Sequence, residues 1–273
     1  MGTDLMRGKV VIVGCGWLGQ QLGVSLARVG YQLYGSRQSE QCLLLLPVEI
    51  TPMLLQLPQL FLSNAQQQIW QDAWVICALP PSAKTRSEED YLLLLRNVAQ
   101  LANQAGVRGL IHCSSTGVYQ GLAGEVSEKS VLADDAKSRF LRLAEQELQQ
   151  VNPCVTLRLA GLIGPGRHPA RFCSGRVLQG AELPVNMVHA ADIAAFIIQL
   201  LQQQPATDCF NLCSPEHPTK QQFYTAATQS QGLAAPQFAS GSEVARVVSA
   251  AYSQSVPGFC YRFSSPVHAL PYC

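Results

Sequence analysis

The chain has 273 residues and a mass of 29.6 kDa, with 19 basic and 18 acidic side chains and a formal net charge of +1. That length buries a full hydrophobic core, either as one α/β domain or as a core with a smaller lobe. No basic block tracks a phosphate backbone, which argues against nucleic acid, and the aliphatic runs at 43–46 and 92–95 fall far short of the roughly 20 residues a bilayer span needs.

The start, residues 1–9, lacks the apolar centre of a secretory signal, so the chain is expected to begin here and stay in the cytoplasm. Ten cysteines are scattered without a CxxC pair. They read as small buried hydrophobes in a reducing compartment, with no metal site and no disulfide framework.

In chain order, residues 9–13 read as a strand and 17–29 as a helix, with Leu18, Leu22, Leu26 and Val29 at intervals of three and four and Gly30 closing it. Between them Gly14, Gly16 and Gly19 fall at GxGxxG spacing. Gly14 permits the tight turn, Gly16 lets the backbone approach a pyrophosphate, and Gly19 allows close helix packing, while the helix N-terminus supplies N–H groups. The cofactor-binding run is therefore Gly14, Cys15, Gly16, Trp17, Leu18 and Gly19. Cys15, at a helix N-terminus, is a candidate for oxidation.

Residues 31–35 form a second strand, after which Ser36 and Arg37 open a polar turn. A dinucleotide site for NAD carries an acid about 20 residues past the glycines, and residues 31–39 contain none. Arg37, with Ser36 beside it, suits the 2′-phosphate of NADP, because a guanidinium offers a planar fork of donors. NADP is expected over NAD.

A helix over 39–46, one short strand within 48–57, a strand over 73–79 stopped by Pro80 and Pro81, and a helix over 88–105 closed by Gly106 follow. Residues 110–113 form a strand running into Ser114, Ser115 and Thr116, 134–150 a helix, and 154–159 a strand. The glutamine clusters at 66–68 and 202–204 read as helix faces and ends. This alternation predicts a doubly wound parallel sheet, a Rossmann fold, over residues 1–160. Residues 161–273 are expected to form a small C-terminal substrate lobe, with a helix near 172–178 and a helix and strand at about 190–212 returning to the core.

Three spaced segments carry a resemblance. Ser114-Ser115-Thr116-Gly117-Val118-Tyr119, Arg158 through Gly164-Pro165-Gly166, and Val188-His189-Ala190-Ala191-Asp192 resemble motifs of extended short-chain dehydrogenase/reductases, the NAD-dependent epimerase/dehydratase superfamily. The glycine turn and the stretch 164–169 look like those of its bacterial YeeZ-like atypical members. The resemblance implies NAD(P) chemistry on a small-molecule substrate, with Ala78, Leu79 and Pro80 walling the cofactor and Ser115 holding the substrate oxygen. It also implies a tyrosine and a lysine four residues apart, but those positions fall on Lys137 and Leu141.

Tyr119 is the candidate substitute for the missing tyrosine, beside a rim role in which its hydroxyl only contacts substrate. Lys137 reads as a solvated lysine opening a helix. Arg167, His168 and Arg171 form a cationic group suited to a phosphate or carboxylate, Asp192 is placed to N-cap the helix after it, and His112 reads as packed within its strand. Two functions follow: an NADP-dependent oxidoreductase or epimerase of atypical type, or a non-catalytic NAD(P)-binding sensor. Homo-oligomeric assembly is left open.

Overall fold

The computed structural model describes residues 7–81, 87–241 and 244–273. The first six residues of the start read above as leaderless therefore lie outside the described residues. Two compact units interleave along the chain, one comprising Met1–Ser114, Arg139–Leu157 and Leu200–Cys209, the other Ser115–Ser138, Arg158–Gln199 and Phe210–Cys273.

The first elements are β1 (Lys9–Val13), α1 (Trp17–Ala27), β2 (Gln32–Arg37), α2 (Glu40–Leu43), β3 (Thr51–Leu54), α3 (Asn64–Trp70), β4 (Trp74–Cys77), α4 (Glu88–Ala105) and β5 (Gly109–Ser115). A 3-10 turn, Thr116–Tyr119, then leads to β6 (Gly124–Val126), α5 (Ala136–Leu148), β7 (Cys154–Leu159), β8 (Gly161–Ile163), α6 (Ala170–Cys173) and β9 (Val177–Gln179). The remainder holds β10 (Met187–His189), α7 (Ala190–Gln203), β11 (Asp208–Leu212), α8 (Lys220–Ser230), β12 (Gln237–Ala239), β13 (Arg246–Val248) and α9 (Ala251–Gln254).

Seven strands make one parallel sheet in the order β11-β7-β5-β4-β1-β2-β3. Val10 pairs with Leu33 of β2 on one side and Trp74 of β4 on the other. Strand order therefore reverses at β1, and in such sheets ligands gather at the C-terminal strand ends beside that reversal. β1 and β4 are almost wholly buried, as the unbroken apolar runs of a two-sided parallel sheet require.

α4 shows why the helices form. Ser87 and Asp90 make a capping box at its start, three acids occupy its first turn, and Gly106 closes it in the left-handed region at φ 66°. Its buried face, including Tyr91, Leu94, Leu95, Val98 and Leu101, packs into the core with Val75 and Leu110. In the second unit Ile163, Val185, Phe223, Phe263 and Leu270 form a separate core.

Several local expectations change. Ser36 and Arg37 lie inside β2, not in a turn, because Ser36 pairs with Met53 and Arg37 with Leu54 of β3. The helix expected near 172–178 is the short α6 at Ala170–Cys173, and Val177–Gln179 is a strand paired with β12. Its apolar residues serve that distant pairing, which local periodicity does not reveal.

Candidate functional site

In the first unit the loop after β1 is a tight turn. Gly14 has φ +82°, and an added Cβ would meet Leu79 Cδ2 at 2.8 Å and the Leu79 nitrogen at 3.0 Å. The Gly16 amide donates to the Gly14 carbonyl at 2.7 Å. A Cβ on Gly16 would meet nothing closer than 3.9 Å, so the space above it is open. At Gly19 a Cβ would lie 3.0 Å from Ile12 Cγ2 and 3.1 Å from the Gly14 carbonyl, which sets how closely α1 approaches β1. Half-buried Trp17 and Leu18 begin α1, whose first amides have no acceptor within the helix.

Ser36 is buried, and its Oγ accepts from the Gly14 amide at 3.1 Å while its carbonyl accepts from Cys15. It shapes the turn from beneath, and as an acceptor it keeps its own O–H. Cys15 is fully buried, and burial pushes its thiol up to about 11. The oxidation expected for it is thereby corrected, since a thiol kept protonated and covered is a poor nucleophile. Arg37 is half-buried, and its Nε is a buried donor with no partner among the described residues.

Ala78 donates to the Val13 carbonyl, Leu79 lies against Gly14 and accepts from the Tyr91 hydroxyl at 3.0 Å, and Pro80 is exposed. His112 is buried, and desolvation pushes it down to about 4, so it is neutral at physiological pH, as a packed residue should be. Leu141, where the resemblance puts a lysine, is buried at 5 % exposure.

In the second unit Ser115 Oγ accepts from the Gly117 amide at 3.0 Å and so holds the 3-10 turn. Its own proton remains free to be donated, since an accepting hydroxyl keeps its O–H. Tyr119 is fully buried. Its hydroxyl donates to Asn211 Oδ1 at 3.0 Å and accepts from Arg158 at 2.9 Å, with that guanidinium 5.4 Å from the ring centre. Both hydroxyl functions are spent internally, so the direct contact with a reacting oxygen expected of Tyr119 does not fit. Lys137 is exposed at the start of α5.

The expected cationic loop also divides. Arg167 and Arg171 are exposed, but His168 is buried, with Nδ1 accepting from the Ala170 amide at 3.2 Å and Nε2 3.3 Å from Ser230 Oγ. Burial and the neighbouring Arg171 lower its pKa, leaving a neutral ring that organises the start of α6. Asp192 is not an N-cap. α7 begins at Ala190, His189 Nδ1 accepts from the Ala191 amide, and Asp192 Oδ1 accepts from the Arg262 amide at 2.6 Å.

A cavity of about 530 Å³ opens in the second unit, lined among others by Thr116, Asn186, Met187, Lys220, Tyr224 and Arg246. None of Arg167, His168 or Arg171 lines it. Arg246 and Lys220 lie in stretches without a recognisable motif, and the only signal for them was isolated cations near apolar runs. Among the described residues no group of three or more metal-ligating side chains is disposed to hold an ion, and no helix is long and apolar enough to cross a membrane.

No protein-family model matches this sequence. Protein YeeZ of Escherichia coli (strain K12) is 32% identical over 267 residues, covering 95% of this chain and 97% of that protein. The chain belongs to the YeeZ family. Among solved structures, MoeE5 in complex with UDP-glucose and NAD matches with a TM-score of 0.78 and 19% identity over 97% of both chains. UDP-glucuronic acid 4-epimerase from Bacillus cereus, in complex with NAD, matches at 0.74 and 15% identity over 97% of this chain and 98% of its own. These likenesses show that the YeeZ-family chain has the α/β Rossmann-like fold of these NAD-bound proteins.

Proposed function

We propose that this chain is an NADP-dependent oxidoreductase or epimerase of atypical type, acting in the cytoplasm on a small polar metabolite. The observation that carries the cofactor is the Gly14–Gly19 turn, where the open space above Gly16 suits a pyrophosphate and Gly14 tolerates no side chain. The NAD bound by MoeE5 and by the Bacillus cereus epimerase supports a nicotinamide dinucleotide. The preference for NADP rests on Arg37, whose unpartnered Nε suits a 2′-phosphate, and on the absence of an acid across 31–39. The bound cofactor supplies hydride acceptance and donation.

Trp17, Leu18 and Gly19 would offer the α1 amides to the diphosphate, and Ala78, Leu79 and Pro80 would wall the adenosine side. Ser115 would donate its free proton to the substrate oxygen, while Tyr119 positions the 3-10 turn that Ser115 caps. The UDP-sugars bound to MoeE5 support a small-molecule substrate. Ten free thiols suit a reducing compartment.

Heat denaturation with NADPH and NADH tests the cofactor. NADPH should stabilise more, and Arg37→Ala should remove the difference; equal stabilisation in both proteins refutes the assignment. Buried Leu141 and internal Tyr119 favour a second reading, a non-catalytic NAD(P)-binding sensor. A substrate-dependent loss of NADPH absorbance that Ser115→Ala abolishes decides for the enzyme.

A further inference from the structure

We infer that the cavity of the second unit is an oxyanion site, and that Arg246 is the group that makes it one. This rests on the proposed enzymatic reading only in calling the bound anion a substrate group.

Arg246 opens β13, where it pairs with Gly124 of β6. Its backbone is fixed on both sides: its carbonyl accepts from Asn186 Nδ2 at 2.9 Å, and Asn186 Oδ1 accepts from the Val248 amide at 2.8 Å. Among the described residues the guanidinium is held by one bond, from Nη1 to the Tyr119 carbonyl at 2.5 Å. Its Nε is buried without a partner, and among the described residues no carboxylate pairs with it. Burial lowers its pKa, the mark of a charge that has lost water without gaining a counter-ion.

A guanidinium does not lose its proton in a protein, so a half-buried one must find a counter-charge elsewhere. The cavity that Arg246 borders also has Lys220, whose Nζ donates to the Gln179 carbonyl at 3.2 Å, in its lining, and among the described residues no acidic side chain lines it. A half-buried guanidinium with no counter-charge among the described residues, bordering a cavity, matches a carboxylate or a phosphate group. Leu183, Val185 and Met187 on the same lining suit a ligand whose charge is confined to one end. The site therefore selects an anionic metabolite, and neutral polyols lack the group it needs.

The test titrates inorganic phosphate and citrate into the cofactor-free full chain at constant ionic strength balanced with chloride, followed by calorimetry and heat denaturation. At least one of the two should bind saturably with a rise in Tm that chloride does not reproduce, and the one that binds identifies phosphate or carboxylate as the source. Arg246→Gln should weaken that binding by about tenfold or more while NADPH affinity is kept. Absence of saturable binding, or equal binding by wild type and Arg246→Gln, overturns the proposal. If loss of NADPH binding and of ellipticity shows that Arg246→Gln does not fold, Arg246→Lys decides, because it keeps charge and loses the fork. It should bind the anion several-fold more weakly, and unchanged affinity overturns the site. A chain that binds the anion and not NADPH would sink the cofactor reading alone.

Discussion

Ser36 Oγ lies 3.1 Å from the Gly14 amide and accepts its hydrogen bond, tying the end of β2 to the turn after β1. The dinucleotide turn here is supported from within the sheet by a residue that the sequence places among the cofactor contacts.

Ser36→Ala leaves the Gly14 amide without its acceptor in a buried setting. The expected cost is about 1–2 kcal/mol of stability, together with weaker NADPH binding, because the Gly16 amide is positioned by the same turn. Urea unfolding and NADPH titration on one preparation check both. Unchanged stability would show that the bond contributes nothing net.

Gly14 and Gly16 separate folding from binding. Gly14→Ala puts a Cβ 2.8 Å from Leu79 Cδ2 at a backbone φ of +82°, and should cost about 1–3 kcal/mol as well as cofactor affinity. Gly16→Ala has open space, its nearest neighbour being 3.9 Å away. It should leave the melting temperature of the cofactor-free protein almost unchanged while greatly weakening NADPH binding. A Gly16→Ala protein that binds NADPH as well as wild type would remove the pyrophosphate from above this turn.

His168→Ala tests a structural histidine against its exposed neighbour. The buried ring bridges the Ala170 amide and Ser230 Oγ, so its loss should cost about 1–2 kcal/mol without changing NADPH affinity. Arg171→Ala, on an exposed side chain, should stay within about 0.5 kcal/mol of wild type. Thermal denaturation of the two variants side by side reads the difference.

The parallel sheet, α4 and the glycine turn were legible because their signals are local: apolar runs bounded by glycine, three acids opening a helical stretch that Gly106 closes, and GxGxxG spacing. What escaped depends on distant partners. Arg37 belongs to β2 because Leu54 pairs with it, and no window around Arg37 contains that fact. His168 looked cationic between Arg167 and Arg171, but Ser230, 62 residues on, draws its ring inward. Arg246 is fixed by Tyr119, 127 residues earlier, and no motif marks such a pairing. Asp192 was misplaced by one or two residues of helix start: with α7 beginning at Ala190, the capping bond falls to His189.

The pH dependence of stability should show two opposed contributions in one window. Burial raises the Asp192 carboxyl to about 6 against an unfolded value near 4, so between those pH values the folded state holds more protons than the unfolded one. Its contribution is present below pH ~4 and is lost as pH rises through about 6. His112 runs the other way: its folded pKa near 4 lies below the unfolded value of about 6.5, so stability rises with pH across the same interval. The wild-type profile is therefore flatter than either group alone would make it. Asp192→Asn removes the falling part, keeps an acceptor for the Arg262 amide, and should steepen the rise from pH 4.5 to 7 by on the order of 2 kcal/mol. Urea midpoints at several pH values measure this slope, and an Asp192→Asn profile parallel to wild type would mean that the carboxyl titrates alike in both states.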